Sequence, residues 1–150
     1  MRILILIGIT VLVSACTVAK PLELSQAHET DNKVFVAIAD AYYQRDLGSQ
    51  IRFWKQTFSV IDTLDDQPGF LGFSARIELL DNRATTMTAW KDKASMREFA
   101  YGDSLHKEIV KRDTTLIDSV FYGAEFNAEA LPTWDQALEL LSDKGRHYYE

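Results

Sequence analysis

His106 is the histidine best placed for a catalytic or binding role, because it falls among apolar residues of a predicted helix. His28 lies in the predicted N-terminal tether and His147 in the C-terminal tail. An imidazole changes protonation near neutral pH. It can therefore bind an acidic substrate, act as a general acid or base, or ligate iron. The alternative is structural: a half-buried histidine whose ring bonds a backbone carbonyl or a water molecule. Residue types alone leave both interpretations open.

Aromatic side chains gather where the first predicted strand gives way to the first predicted helix. Tyr42, Tyr43 and Trp54 can stack on a flat ligand and offer it a polar tip. Ordinary packing is the alternative, and it is favoured for Trp54. Arg76 on the second strand and Arg112 after the second helix can attract a carboxylate. Both can equally be solvated surface charges, which is the commoner state of arginine.

Other kinds of chemistry lack their usual patterns. No His, Asp or Glu set has zinc-site spacing, so we expect no metal. We find no nucleophile elbow, phosphate-binding glycine loop or dinucleotide fingerprint. The 16 Lys and Arg against 22 Asp and Glu give a net charge of −6 with no basic block, which argues against a nucleic-acid partner. A length of 150 residues fits one globular domain.

Hydrophobic periodicity predicts the elements that carry these residues. Strands are expected at 33–43, 70–80, 84–90 and 117–126. In the second of them, alternation places one set of side chains on one face: Leu71, Phe73, Ala75, Ile77 and Leu79. A first helix with Ser49 as N-cap has an apolar stripe, and we expect that stripe to face the core: Ile51, Trp54, Phe58, Ile61 and Leu64. A second helical region runs from Asp92 to Arg112, interrupted at 102–104. The last helix opens with a capping box of Thr133 and Gln136 and ends at Gly145.

This order of elements, βαββαβ followed by an extra C-terminal helix, predicts an α+β, ferredoxin-like fold. Both helices of that motif lie on one face of the sheet, which leaves the other face bare. Since the first strand is apolar on both faces, we expect a homodimer packed sheet to sheet.

The N-terminus has the features of a secretion signal. An apolar run at 3–13 follows Arg2, and at eleven residues it is shorter than the about 20 that span a bilayer. The residues 13–16, Val-Ser-Ala-Cys, resemble a bacterial lipobox, although an ordinary signal peptide with a chance cysteine is the alternative. The resemblance implies a lipoprotein signal peptide at 1–15, acylation of Cys16 with palmitate or a similar chain, and membrane anchoring. We then expect a tether at 16–32 and the domain at 33–150. Thr17, where inner-membrane lipoproteins usually carry Asp, implies the outer membrane, facing the periplasm.

Four stretches between residues 67 and 106 resemble a known group of proteins. They are QPGFLG at 67–72, TMTAW at 86–90, KASMREF at 93–99, and Tyr101 followed by His106. In this order they resemble the antibiotic-biosynthesis-monooxygenase-like group of dimeric α/β barrels. The later pattern, which runs from 99–101 to 111–112 and continues at 132–133 and 137–138, resembles an uncharacterised branch of that group. The resemblance covers roughly 33–145. That group includes cofactor-independent oxygenases and haem-degrading oxygenases.

The resemblance assigns expectations to individual residues. Trp90 falls where oxygenases of the group carry a tryptophan at the cavity wall, which implies a catalytic role beside His106, with core packing as the favoured alternative. The axial histidine of haem-degrading relatives falls at Ile109, which cannot ligate iron, so no cofactor is expected and haem is not favoured. An amide on the first strand, frequent in the oxygenases, is missing from 34–43.

Two functions of different classes follow from these expectations. The first is a membrane-anchored, monooxygenase-like domain that binds, and as an enzyme oxidises, a small apolar or aromatic molecule. Its catalytic residues would be His106 and Trp90, and its ligand-binding residues Tyr42, Tyr43, Trp54 and Arg76. The second is a non-catalytic ligand-binding or envelope-interaction module on the same scaffold.

Overall fold

The computed structural model describes residues 17–24, 32–102 and 105–147. The predicted signal peptide, Cys16 and part of the predicted tether lie outside the described residues. The elements are β1 (Thr17–Ala19), β2 (Lys33–Tyr43), α1 (Leu47–Ile61), a 3-10 helix (Leu64–Asp66), β3 (Phe70–Glu78), β4 (Arg83–Trp90), α2 (Lys93–Tyr101), α3 (Leu105–Arg112), β5 (Leu116–Asn127), α4 (Trp134–Lys144) and β6 (Arg146–His147).

The strands form one antiparallel sheet in the order β1-β3-β4-β2-β5-β6. Its four long strands, β3-β4-β2-β5, have the ferredoxin-like order, with the first long strand in the centre. The predicted α+β, ferredoxin-like fold with an extra C-terminal helix is therefore confirmed.

The central strand β2 is covered on both faces, as its unbroken apolar run predicts. Phe35 and Ala37 pack towards the helices α1 and α2. Val34, Val36 and Ile38 point the other way and are fully buried in a second cluster. Because side chains of a strand alternate between faces, β2 anchors two separate cores.

The second face of the sheet is covered by this chain itself. Ala137 and Leu141 of α4 pack on it, together with Leu22 from the N-terminal segment. The Trp134 indole N–H and the Ser74 hydroxyl both donate to the carbonyl of Lys20. Part of the segment expected to be a tether thus belongs to the folded domain. The face is not bare where α4 covers it, so the physical reason for a sheet-to-sheet homodimer is weaker, and the homodimer stays a prediction.

The predicted core stripe of helix α1 is only partly confirmed. Trp54 and Ile61 pack against the core clusters and Leu64 is buried, but the prediction is wrong for Ile51 and Phe58, which point outward. The helix begins at an N-cap of Asp46, whose Oδ1 accepts from the Ser49 amide at 2.9 Å, and not at Ser49. Ile51 is 61% exposed and Phe58 55% exposed, while Phe53 is buried against the sheet. Spacing of three or four residues defines a stripe on a helix but not the side that the stripe faces.

Strand β3 carries a bulge that the alternating pattern hides. The pairing with β4 shifts register between Phe70 and Gly72. Leu71 therefore joins the cluster under α4, and Phe73 faces the helices α1 and α2. The prediction that Leu71 and Phe73 share a face is wrong, because one extra residue in a bulge inverts the alternation.

Helix α4 begins and ends where its capping residues predict. The Thr133–Gln136 capping box is formed, and Gly145 is the C-cap residue. Within the described residues, no helix combines the length and the apolar character needed to cross a bilayer.

Candidate ligand cavity

A cavity of about 220 Å³ lies between the sheet and the helices α1 to α3. Ala37, Ala39 and Ala41 of β2 contribute to its floor. These alanines alternate along the strand, so their small side chains all point to the same face and leave room above it. The volume is somewhat below the about 300–1,000 Å³ of pockets for drug-sized molecules, and it therefore suits one small ligand.

The lining of the cavity is apolar and carries no cation. Aliphatic and aromatic side chains dominate it, and among the described residues Asp113 is the only acidic one and no Lys or Arg takes part. The Asp113 Oδ1 accepts a hydrogen bond from the Thr115 amide at 2.7 Å. A ligand with a carboxylate would therefore meet a carboxylate and no compensating positive charge.

His106 lines this cavity from α3. Its ring lies against Phe99, with 4.7 Å between the ring centroids. Burial lowers the pKa of His106, an effect that a hydrogen bond with the backbone of Ala100 partly opposes. His106 is therefore a neutral imidazole at pH 7. Its Nδ1 is buried and has no hydrogen-bond partner within the described part of the chain.

Gln56 is a second lining residue that has a buried polar atom without a partner. It projects from α1, lines the cavity, and its Oε1 is buried without a hydrogen-bond partner among the described residues. A hydrogen bond with the backbone of Ala100 requires a ring N–H, and because Nδ1 has no partner we assign that N–H to Nε2, which makes Nδ1 an acceptor. The site thus holds two buried acceptors, on His106 and Gln56.

Trp90 lies behind the cavity and not on its wall. It is fully buried, its Nε1 donates to Thr88 Oγ1 at 2.8 Å, and its ring packs on Phe70 and Phe99 at 5.4 and 5.0 Å. Thr88 and Phe99 line the cavity, whereas Trp90 is absent from the described lining. The expectation that Trp90 and His106 line one cavity therefore fails for Trp90, because the ring of Phe99 stands between them.

The aromatic residues predicted to hold a ligand pack elsewhere. Tyr43 is 1% exposed and stacks on Phe53 at 4.3 Å, and burial raises the pKa of its phenol. Trp54 meets both rings edge-on, at 5.7 and 5.1 Å. Tyr42 lies on the other face of the sheet, under the guanidinium of Arg83. None of the three predicted aromatics belongs to the cavity lining that the structure describes.

The two candidate arginines are also remote from the cavity. Arg76 pairs with Glu78 at 2.9 Å, on the face of the sheet opposite the cavity. Arg112 is exposed at the end of α3. Neither can bind a carboxylate inside the cavity.

Residues that sequence reasoning missed include Gln56 and the three floor alanines. The alternation of alanine with larger residues in β2 was the available signal, because small side chains on one face of a covered strand leave space. Gln56 carried no signal, since its position relative to the sheet depends on which way α1 faces.

Metal and haem sites are not supported by the residues present. Among the described residues, no group of three or more His, Cys, Asp or Glu side chains could hold a metal ion. Ile109 lines the cavity and has no donor atom, as expected. Haem carries two carboxylates, and the lining offers them no Lys or Arg, so the cavity does not fit this group.

Comparison with known proteins supports the fold and leaves the reaction open. A scan against protein-family models finds no match, and a search of curated proteins finds none either. Among solved structures, the chain is similar to a protein provisionally designated a monooxygenase from Fusobacterium nucleatum, with a TM-score of 0.54 and 14% identity, covering 73% of this chain and 47% of that one. It thus spans about half the length of that protein.

Two further solved structures align with this chain over nearly the whole of their own length. A protein of unknown function from Nitrosomonas europaea has a TM-score of 0.54 and 13% identity over 68% of this chain and 97% of that one. A cofactor-independent oxygenase from Streptomyces nogalater has a TM-score of 0.47 and 18% identity over 69% and 97%. The two structures with a TM-score of 0.54 share the fold of this chain.

Proposed function

We propose that the cavity binds one small, uncharged, mainly apolar or aromatic molecule that carries a hydrogen-bond donor. The observation that supports this most directly is the pair of unpartnered buried acceptors, His106 Nδ1 and Gln56 Oε1, in residues lining an apolar cavity. Leaving such an atom unpaired costs roughly 1–3 kcal/mol. A ligand hydroxyl or N–H recovers that energy, whereas an ether or a carboxylate does not.

The experiment compares three molecules of similar shape: 2-naphthol, 2-methoxynaphthalene and 2-naphthoate. Isothermal titration calorimetry should show the naphthol binding at least about tenfold more tightly than the ether, the ratio that one recovered hydrogen bond of about 1.4 kcal/mol gives. The naphthoate should bind worst, because Asp113 repels it. Tightest binding of the naphthoate would contradict the proposal.

Three variants test whether the molecules bind in this cavity. Ala39→Leu fills the floor and should abolish naphthol binding, while Ala94→Leu, at an exposed position of α2, should leave it unchanged. His106→Phe keeps a ring but removes the acceptor, so it should reduce the preference for naphthol over the ether. Unchanged binding in Ala39→Leu would show that the molecules bind elsewhere.

Oxidation of the bound molecule is the second candidate, and the neutral ring of His106 favours it. A neutral imidazole can take a proton from an acidic C–H, and the carbanion then reduces dioxygen. Conversion of a CH₂ group with one O₂ into a carbonyl and one water balances atoms and electrons. An oxygen electrode with anthrone as substrate tests this step. Oxygen consumption that is lost in His106→Phe supports a monooxygenase. Oxygen consumption no faster than the uncatalysed rate would contradict catalysis and favour the non-catalytic binding module.

We also propose that the mature chain begins at Cys16 and is anchored by lipid in the bacterial outer membrane, facing the periplasm. The support is the apolar run at 3–13 and the single cysteine of the chain, placed directly after it. Intact-mass measurement of protein extracted from its host membranes should show loss of residues 1–15 and added acyl chains, which Cys16→Ala should lack. An unmodified chain would contradict the anchor, and recovery with inner-membrane fractions would contradict the location.

A further inference from the structure

We infer that one end of the domain docks on the surface of a lipid bilayer. This end, called here the apolar end, comprises five exposed large apolar residues: Leu47, Ile51, Leu79, Leu80 and Ile117. The inference rests on the proposed lipid attachment at Cys16 and adds the surface by which the folded domain meets the membrane.

Hydrogen bonds hold these residues at the same end of the sheet. In the turn between β3 and β4, the Asn82 carbonyl accepts from the Tyr43 amide at 3.0 Å. The Asn82 Oδ1 accepts from Gln50 Nε2, on the first turn of α1, at 3.0 Å. The Gln44 amide donates to the carbonyl of Thr115, just before β5, at 2.9 Å. The turn with Leu79 and Leu80, the start of α1 and the start of β5 are therefore neighbours.

Each of these five apolar residues is more than half exposed to solvent. Leu47 is 72% exposed, Ile117 64%, Ile51 61%, Leu80 57% and Leu79 54%. Single exposed apolar residues are common on protein surfaces, but several at one end mark a surface that meets a partner or a membrane.

The course of the N-terminal strand indicates which partner this is. Strand β1 pairs with β3 so that Ala19 lies opposite Arg76 and Thr17 opposite Glu78. Going towards the N-terminus, the chain therefore runs to the apolar end, where Leu79 follows Glu78. Thr17, the first described residue, is therefore at this end, and in the sequence it directly follows the proposed lipidation site Cys16. Acyl chains on Cys16 bring the bilayer to the same place.

The charges around the apolar end predict the kind of bilayer contact. Two positive and two negative groups are exposed there, so their charges cancel: Arg45, Arg52, Asp46 and Asp81. Attraction to anionic lipid headgroups requires an excess of basic residues. The docking should accordingly rest on insertion of apolar side chains, with little dependence on salt or on anionic lipid.

The experiment uses the full chain processed by its host and reconstituted in phosphatidylcholine vesicles. Leu80→Cys is labelled with an environment-sensitive fluorophore, and Glu125→Cys is the matched control. Glu125 is exposed and pairs with Phe35 near the opposite end of the sheet. A nitroxide on the lipid should quench the label at position 80 at least about threefold more than the label at 125, equally at low and high salt. Equal quenching at the two positions, or none at 80, would overturn the docking.

A second measurement distinguishes the docking from its premise and from a second copy of the chain. Intact mass reports whether Cys16 carries lipid. Lipid on Cys16 without quenching at position 80 would overturn the docking and keep the anchor, whereas quenching without lipid would keep the docking and overturn the anchor. If the label at position 80 is already shielded in detergent and light scattering shows a dimer, the end binds another copy and the inference is wrong.

Discussion

His106 and Phe99 lie ring against ring, with 4.7 Å between their centroids, and this contact holds the imidazole at the cavity in a buried, neutral form. Because burial lowers its pKa from 6.5, the folded protein binds this proton less readily than the unfolded chain does. The free energy of unfolding should therefore fall as the pH drops through about 6.5, until the lower folded-state pKa is reached.

The measurement is urea unfolding at pH 7.5 and pH 5.5, with His106→Gln as the comparison. Other groups also titrate in this range, so the difference between the two proteins carries the information. Wild type should lose more stability than the variant on acidification. Equal losses would mean that His106 is not buried as described.

Trp90 should be a stability residue. It is fully buried between Phe70 and Phe99, so Trp90→Ala should cost roughly 3–5 kcal/mol of unfolding free energy through the cavity that it leaves. Ile51→Ala, on the exposed stripe of α1, should change stability by no more than about 0.5 kcal/mol. Chemical denaturation of both variants checks this contrast, and a large loss in Ile51→Ala would show that the stripe is covered within the protein.

The buried Asp40 and the partly exposed Arg83 form an ion pair on the face of the sheet opposite the cavity. The Arg83 Nε donates to both carboxylate oxygens of Asp40 at 2.9 Å, and Thr85 Oγ1 adds a third bond at 2.9 Å. The hydrogen bond to Asp40 raises the pKa of Arg83. Asp40→Asn should cost about 1–2 kcal/mol, because it weakens charge-assisted hydrogen bonds to a buried carboxylate, while Arg83 is partly exposed and keeps Glu78 at 3.3 Å.

Glu125→Gln is the control for this substitution, since Glu125 is exposed and its neutralisation should be nearly silent. Neither variant should alter ligand binding in the cavity, which lies on the other face. A loss of binding in Asp40→Asn with stability retained would contradict this separation of the two sites.

The capping box of α4 should contribute measurably to stability. The Thr133 amide donates to Gln136 Oε1 at 2.9 Å, and Thr133 Oγ1 accepts from the Gln136 amide at 3.4 Å. Thr133→Ala should destabilise the fold by about 1 kcal/mol. Thr114→Ala, exposed in the loop before β5, provides the matched comparison and should have little effect on the urea midpoint. Equal midpoints for the two variants would show that α4 adds little to the covered face.

Short-range signals in the sequence were sufficient for the four long strands, for the helices and for their order, but not for the short strands β1 and β6. The central strand occupies 33–43 as predicted, and Thr133 with Gln136 caps α4, because strand periodicity and helix capping depend on residues a few positions apart. The order of strands and helices in turn restricts the topology to very few arrangements, which is why the ferredoxin-like fold could be predicted.

The candidate site depended on which faces meet, and only the tertiary structure decided that. The stripe of Ile51 and Phe58 has helical spacing, but whether it turns to the sheet or to solvent depends on what α1 packs against. The bulge beside Leu71 depends on the partner strand, and Phe99 separates Trp90 from His106 through contacts between distant elements. The sequence by itself determined the order of strands and helices and indicated His106 as a candidate site residue, because local patterns of residues encode secondary structure. Packing decided that Gln56 shares its cavity and that α4 covers the second face, since contacts between faces are set by the whole chain at once.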